Sequence, residues 1–215
     1  MKSKFTKEQR QLINKQIHYL VPESQSYDIC ISKQDGYTAN CVFKYIYITS
    51  NYANAALSQE EDSSVALALI STIGHEIGHN KDYQPTSILK QFLVNYAELT
   101  NGFGLKHMPY IKNELQFYLW LWEVHADFYG CKIGLRSNRH NQTIAMNFKI
   151  NNKKNPSIRY QDYFTHPSWE RRLNYIKIYN FDEELISKIA IDVNFLLNKD
   201  LLNNIILHYG TIILN

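Results

Sequence analysis

The chain has 215 residues and a mass of 25.3 kDa, with 45% hydrophobic and 20% charged side chains. Both fractions lie near globular averages, which excludes global disorder. The formal net charge of +3 is too mild to argue for a nucleic-acid or membrane-surface partner.

Residues 5–20 read as a helix, with Leu12, Ile13, Ile17 and Leu20 at helical spacing and Pro22 ending it. Residues 27–33 and 38–49 are rich in β-branched and aromatic residues and read as strands, with Asp35-Gly36 between them as a hairpin signal. Val42, Tyr45, Tyr47 and Thr49 do not alternate strictly, so a bulge or two buried faces is expected there. Ser58 to Glu61 resembles a capping box, and Asp62 or Ser63 offers another cap. The run from Ser63 to Asn80 is apolar nearly all round, the pattern of a helix buried in mid-domain.

A further helix is expected over 87–99, a break at Asn101–Gly104, and a helix start at Pro109. A long aromatic helix is predicted over 110–133. Residues 137–165 are polar, Asn-rich and basic and read as loop or lid. Pro167 opens a helix to about Tyr179, and Asp182 begins a final stretch of one helix or two. Tyr118, Trp120 and Trp122 read as core, Cys131 as a buried thiol, and the basic run 149–159 as a solvated face. Three cysteines (Cys30, Cys41, Cys131) are too few and too scattered for a disulfide framework. The N-terminal residues have no apolar core segment, and no run of about 18 apolar residues occurs anywhere. A cytoplasmic protein without membrane contact is expected.

Chemistry concentrates at 75–79, His-Glu-Ile-Gly-His. On a helix, positions i and i+4 share one face, so His75 and His79 can aim two imidazole nitrogens at one metal. Glu76 is rotated by about 100° and can reach an attacking water without binding the metal. Two histidines and a glutamate on an apolar helix are costly to bury unless something coordinates them. A catalytic zinc normally takes three protein ligands and leaves a position open. Downstream, Glu123-Val-His-Ala-Asp127 lies in the aromatic helix. Glu123 is the candidate third ligand, and Asp127, on the same face, can orient a ligand histidine by accepting from its far nitrogen. His125 competes for the ligand role but faces about 200° away from Glu123 and lacks Asp127 on its side.

The His-Glu-x-x-His motif followed by Glu-x-x-Ala-Asp resembles the gluzincin zinc metallopeptidases. Thr165-His-Pro followed by Arg172 is similar to a motif of the HtpX/CAAX-prenyl-protease-like family. The membrane helices of that family have no counterpart here. The resemblance spans about residues 60–180 in three short motifs. It implies that His166 stabilises the oxyanion and that Arg172 holds its segment in place. The Lit-like phage-exclusion peptidases, which cleave a host translation factor, also carry the first motif. So do the ImmA/IrrE-like regulators, which cleave repressors, although their spacing to the glutamate is usually shorter.

Together these readings predict an α+β fold, mostly helical and zincin-like, with a small antiparallel hairpin or sheet beside the helix of the first motif. They divide a single metallopeptidase domain (1–215) into an N-terminal helix and hairpin (1–57), catalytic helices and a loop (58–180) and a helical extension (181–215). The expected activity is zinc-dependent hydrolysis of peptide bonds in a protein or peptide substrate, with His75, His79 and Glu123 on Zn²⁺ and Glu76 as general base. The competing expectations are an inactive, metal-stabilised module that binds a protein, and a phage-exclusion or regulatory protease with one host substrate. An intact Glu76 speaks against the inactive module, which has no need of a general base.

Overall fold

Thr6 starts α1 (Lys7–Leu20), in a computed structural model that describes residues 5–58, 60–81, 109–152 and 157–214. Its hydroxyl accepts from the Gln9 amide while the Gln9 side chain accepts from the Thr6 amide, so two orphan donors are met reciprocally. Ile13, Ile17 and Leu20 are the buried stripe, and Leu12 faces outward. Pro22 closes the helix and opens a 3₁₀ turn over Pro22–Ser26.

Three short strands follow: β1 (Asp28–Ile31), β2 (Ala39–Val42) and β3 (Tyr45–Ile48). Their order is β1-β3-β2, with β1 parallel and β2 antiparallel to β3. The sheet is therefore mixed, not antiparallel, and the hairpin is not the one expected around Asp35-Gly36. Residues 32–38, with Gly36 at φ 100°, carry the chain across so that β3 takes the centre. The hairpin turn is Phe43-Lys44, joining Val42 to its partner Tyr45. This turn accounts for the broken alternation in the sequence, because it resets the phase. Within β3 the period is strict, with Ile46 and Ile48 buried and Tyr45 and Tyr47 exposed. Phe43 has φ 53°, a left-handed conformation that costs a bulky residue about 1–2 kcal/mol.

Next come α2 (Ser50–Ser58), between the expected strand over 38–49 and the capping signal at Ser58, where no element was expected, and α3 (Ser64–Lys81). Of the candidate caps, Ser63 serves: its hydroxyl accepts from the Ala66 amide. α4 (Pro109–Gly130) begins at Pro109 as expected and ends at a glycine. α5 (Arg139–Asn151) and the single turn α6 (Ser157–Tyr160) correct the expectation of a loop over 137–165. The buried positions of α5 are Gln142, Ala145, Met146, Lys149 and Ile150, a helical face on which two polar residues hid the period. Lys149 is therefore not part of a solvated basic face; its ammonium donates to the Ser71 hydroxyl at 3.1 Å. α7 (Trp169–Ile178) is capped by Ser168, α8 (Glu183–Asp192) by Asp182, and α9 (Lys199–Leu214) completes the chain, so the final stretch holds two helices. The helix expected at 87–99 and the break at Asn101–Gly104 lie outside the described residues. Among the described residues, no helix is long and apolar enough to cross a membrane.

The chain forms two compact units, residues 1–80 with 129–154, and residues 81–128 with 155–215. The first unit packs the sheet's buried face with α1, α2 and α3 around Ile13, Ile17, Ile46, Ile48, Tyr52 and Ile73. In it Gly74 of α3 and Gly130 at the end of α4 meet backbone to backbone. A Cβ on Gly74 would lie 2.9 Å from the Gly130 Cα, and one on Gly130 would lie 3.3 Å from the His75 nitrogen. The second unit buries Phe117, Trp120 and Leu121 of α4, Leu173 and Ile176 of α7, and Leu185 and Ile189 of α8. There Phe117 stacks on Phe195 with centroids 4.9 Å apart.

Candidate metal centre

In the first unit, α3 carries His75, Glu76 and His79 through a stretch buried almost continuously from Ala66 to Gly78. The helix repeat alone brings the two imidazoles to one face, where their Nε2 atoms approach to 2.9 Å with the rings nearly perpendicular. A tetrahedral cation bound at about 2.0–2.1 Å by both nitrogens would hold them about 3.3 Å apart. A small side-chain adjustment thus converts the observed pair into a two-nitrogen ligand set. Glu76 departs from this face, as its 100° rotation requires, and its Oε2 accepts from the Cys41 amide of β2 at 2.9 Å. Burial, with the Glu76 carboxylate beside it, pushes the Cys41 thiol up to about 11. Asn80, directly after His79, donates from Nδ2 to the Phe43 carbonyl and to the Tyr27 hydroxyl.

In the second unit, Glu123 and Asp127 are buried one turn apart on α4. Arg172 of α7, also buried, joins them. Its Nε and Nη2 donate to the two Asp127 oxygens at 2.7 and 2.6 Å, and its Nη1 lies 3.1 Å from Glu123 Oε2. This fork-to-carboxylate geometry is the strongest form of the pair, and the guanidinium also lies over the Trp169 ring at 4.5 Å. His166 Nε2 is 3.2 Å from Glu123 Oε1, and its side chain is 53% exposed.

The segment that carries His166 is built, not loose. The Tyr163 amide donates to the His166 carbonyl, and Trp120 Nε1 donates to the Tyr163 carbonyl. Asp162 accepts from the Ser168 amide and from Arg171. Burial alone would raise the Asp162 carboxyl, but the bonds from Arg171 and the Ser168 amide outweigh it and hold it below its ordinary range. His125 is fully buried against Phe181 and Tyr209, with centroids at 5.4 and 4.6 Å. Trp120 is core, and Cys131 is half-buried, with no disulfide among the described residues.

The sequence motifs did not point to Cys41 or Asn80, since a main-chain donor on an edge strand and an asparagine after a histidine carry no signature. Gly74 did leave a signal, being a helix-interior glycine directly before His75. Comparison with known proteins finds no matching family model, no similar curated protein and no similar solved structure.

Proposed function

We propose that the protein is a zinc-dependent endopeptidase of the gluzincin kind, acting on a protein or peptide substrate. The observation that carries this reading is the convergence of His75 and His79 Nε2 with the Glu76 carboxylate turned aside and anchored on β2. The donor chemistry fits zinc: His75, His79 and Glu123 each offer one ligand atom, two imidazole nitrogens and a carboxylate oxygen. Zinc, when bound, supplies Lewis-acid polarisation of a peptide carbonyl and acidifies water.

The remaining work falls to this chain's residues. The Glu76 carboxylate takes a proton from the attacking water and passes it to the leaving amine. His166, with an exposed ring, is the candidate hydrogen-bond donor to the oxyanion. Arg172, itself held by Asp127, keeps the Glu123 carboxylate in a charge-compensated setting. β2 lies at an edge of the sheet, where an extended peptide adds by main-chain hydrogen bonds.

The test compares new protein N-termini generated in a whole proteome by wild type and by Glu76→Gln, beside a metal analysis of both. One zinc per chain with cleavages present only in wild type supports the reading. Zinc without any cleavage supports the metal-stabilised binding module instead.

A further inference from the structure

Within the first unit, hydrogen bonds join the end of α3 to β2, to the β2–β3 turn and to Tyr27, just before β1. The Cys41 amide donates to Glu76 Oε2 at 2.9 Å, and Asn80 Nδ2 donates to the Phe43 carbonyl at 2.9 Å and to the Tyr27 hydroxyl at 3.1 Å. An amide nitrogen has two hydrogens, so Asn80 can make both bonds at once; an aspartate of the same shape can make neither. Asn80 is exposed, so packing does not dictate its identity.

The carbonyl that Asn80 holds belongs to the most unusual backbone in the sheet. Phe43 sits at φ 53° with its side chain 83% exposed, a conformation that glycine or asparagine adopts far more readily. Within the sheet, Cys41 Sγ donates to the same Phe43 carbonyl at 3.6 Å and the Asp28 amide donates to the Lys44 carbonyl at 2.7 Å. Asn80 adds the tie that joins this turn to α3. Cys41 lies only two residues before Phe43, on a four-residue edge strand. The position of the turn therefore sets the position of the amide that holds Glu76.

We propose that Asn80 is a positioning residue for the reaction: by holding the Phe43 carbonyl it fixes the β2–β3 hairpin, so that the Cys41 amide keeps the Glu76 carboxylate in one orientation. This inference rests on the peptidase reading, in which Glu76 moves the proton. Asn80 itself touches no reacting atom.

The test uses Asn80→Ala, the isosteric Asn80→Asp, and Asn80→Ala combined with Phe43→Gly. In the metal-free protein, hydrogen exchange of the Cys41 amide is followed by NMR. Both single variants are expected to speed it by about 2–10-fold, the range of one or two lost hydrogen bonds. In the zinc-loaded protein, metal content is expected to stay at the wild-type level while kcat falls about 10-fold and KM moves less. Phe43→Gly, which removes the backbone strain, is expected to recover part of both losses in the Asn80→Ala background. Wild-type exchange at Cys41 in both single variants overturns the proposal, and so does faster exchange with unchanged kcat. The exchange measurement needs neither metal nor substrate. If Glu76→Gln hydrolyses as fast as wild type, the peptidase reading fails while the tie between Asn80 and the hairpin is still decided.

Discussion

The imidazole pair on α3 and the carboxylate pair on α4 are both i, i+4 pairs on buried helix faces, yet their polar groups are met in opposite ways. His75 and His79 turn their Nε2 atoms towards each other, and local helix geometry is enough to bring them together. Glu123 and Asp127 carry like charges one turn apart, which alone is destabilising, and they are held by one guanidinium from a helix 45 residues further along. On the proposed reading, the first pair is part of a ligand set for a cation taken up from outside the chain. The second pair is met by a cation of the chain itself, Arg172, beside which Glu123 still offers a ligand oxygen on the proposed reading.

The contrast can be broken at its sharpest point by Glu76→Gln and His79→Ala in parallel. Glu76→Gln is expected to lower hydrolysis by about 10²–10⁴-fold with metal retained, while His79→Ala loses the metal itself. Rate assays beside elemental analysis separate the two, and equal metal loss in both would show that Glu76 is a ligand and not a base. On the carboxylate side, Arg172→Met removes the guanidinium from beside two buried carboxylates. It is expected to destabilise the fold by about 3–5 kcal/mol in denaturant unfolding, and Arg172→Lys should restore little because the two-pronged geometry is lost.

A smaller effect sharpens the imidazole side. Gly74→Ala places a Cβ 2.9 Å from the Gly130 backbone, where no flexible side chain can yield. It should cost about 1–3 kcal/mol of stability and shift the helix that carries His75. Thermal unfolding and zinc affinity report the two consequences.

The smallest expected effect concerns the segment leading to Arg172. The Asp162 carboxyl is held below its ordinary value of 3.8, so its stabilising contribution is complete above that value and is lost as pH falls through the folded one. Asp162→Asn should therefore flatten the pH dependence of the melting temperature below about pH 4 and leave its slope at neutral pH unchanged.

The legibility of the sequence follows the range of the interactions. α1 was readable because its cap, its stripe and its terminating proline lie within seventeen residues. The start of α4 at Pro109 and the pairing of His75 with His79 were readable for the same reason. α5 was hidden because Gln142 and Lys149 occupy core-facing slots, and Lys149 finds its partner at Ser71, 78 residues away. The sheet order was hidden because Asp35-Gly36 gives an ordinary turn signal, while the hairpin formed at Phe43-Lys44, where no glycine or asparagine advertises it.

By itself, the sequence determined which side chains share a helix face, since a 3.6-residue repeat places residues 75 and 79, or 123 and 127, without reference to the rest of the chain. Only the tertiary structure decided what those faces meet. Arg172 reaches Glu123 and Asp127, Cys41 offers its amide to Glu76, and Asn80 holds the turn at Phe43, each from a segment that no local period connects to its partner. Such pairings follow from burial: a desolvated charge or an exposed edge-strand donor must find a complement, and the chain supplies it from whichever segment the packed core brings alongside.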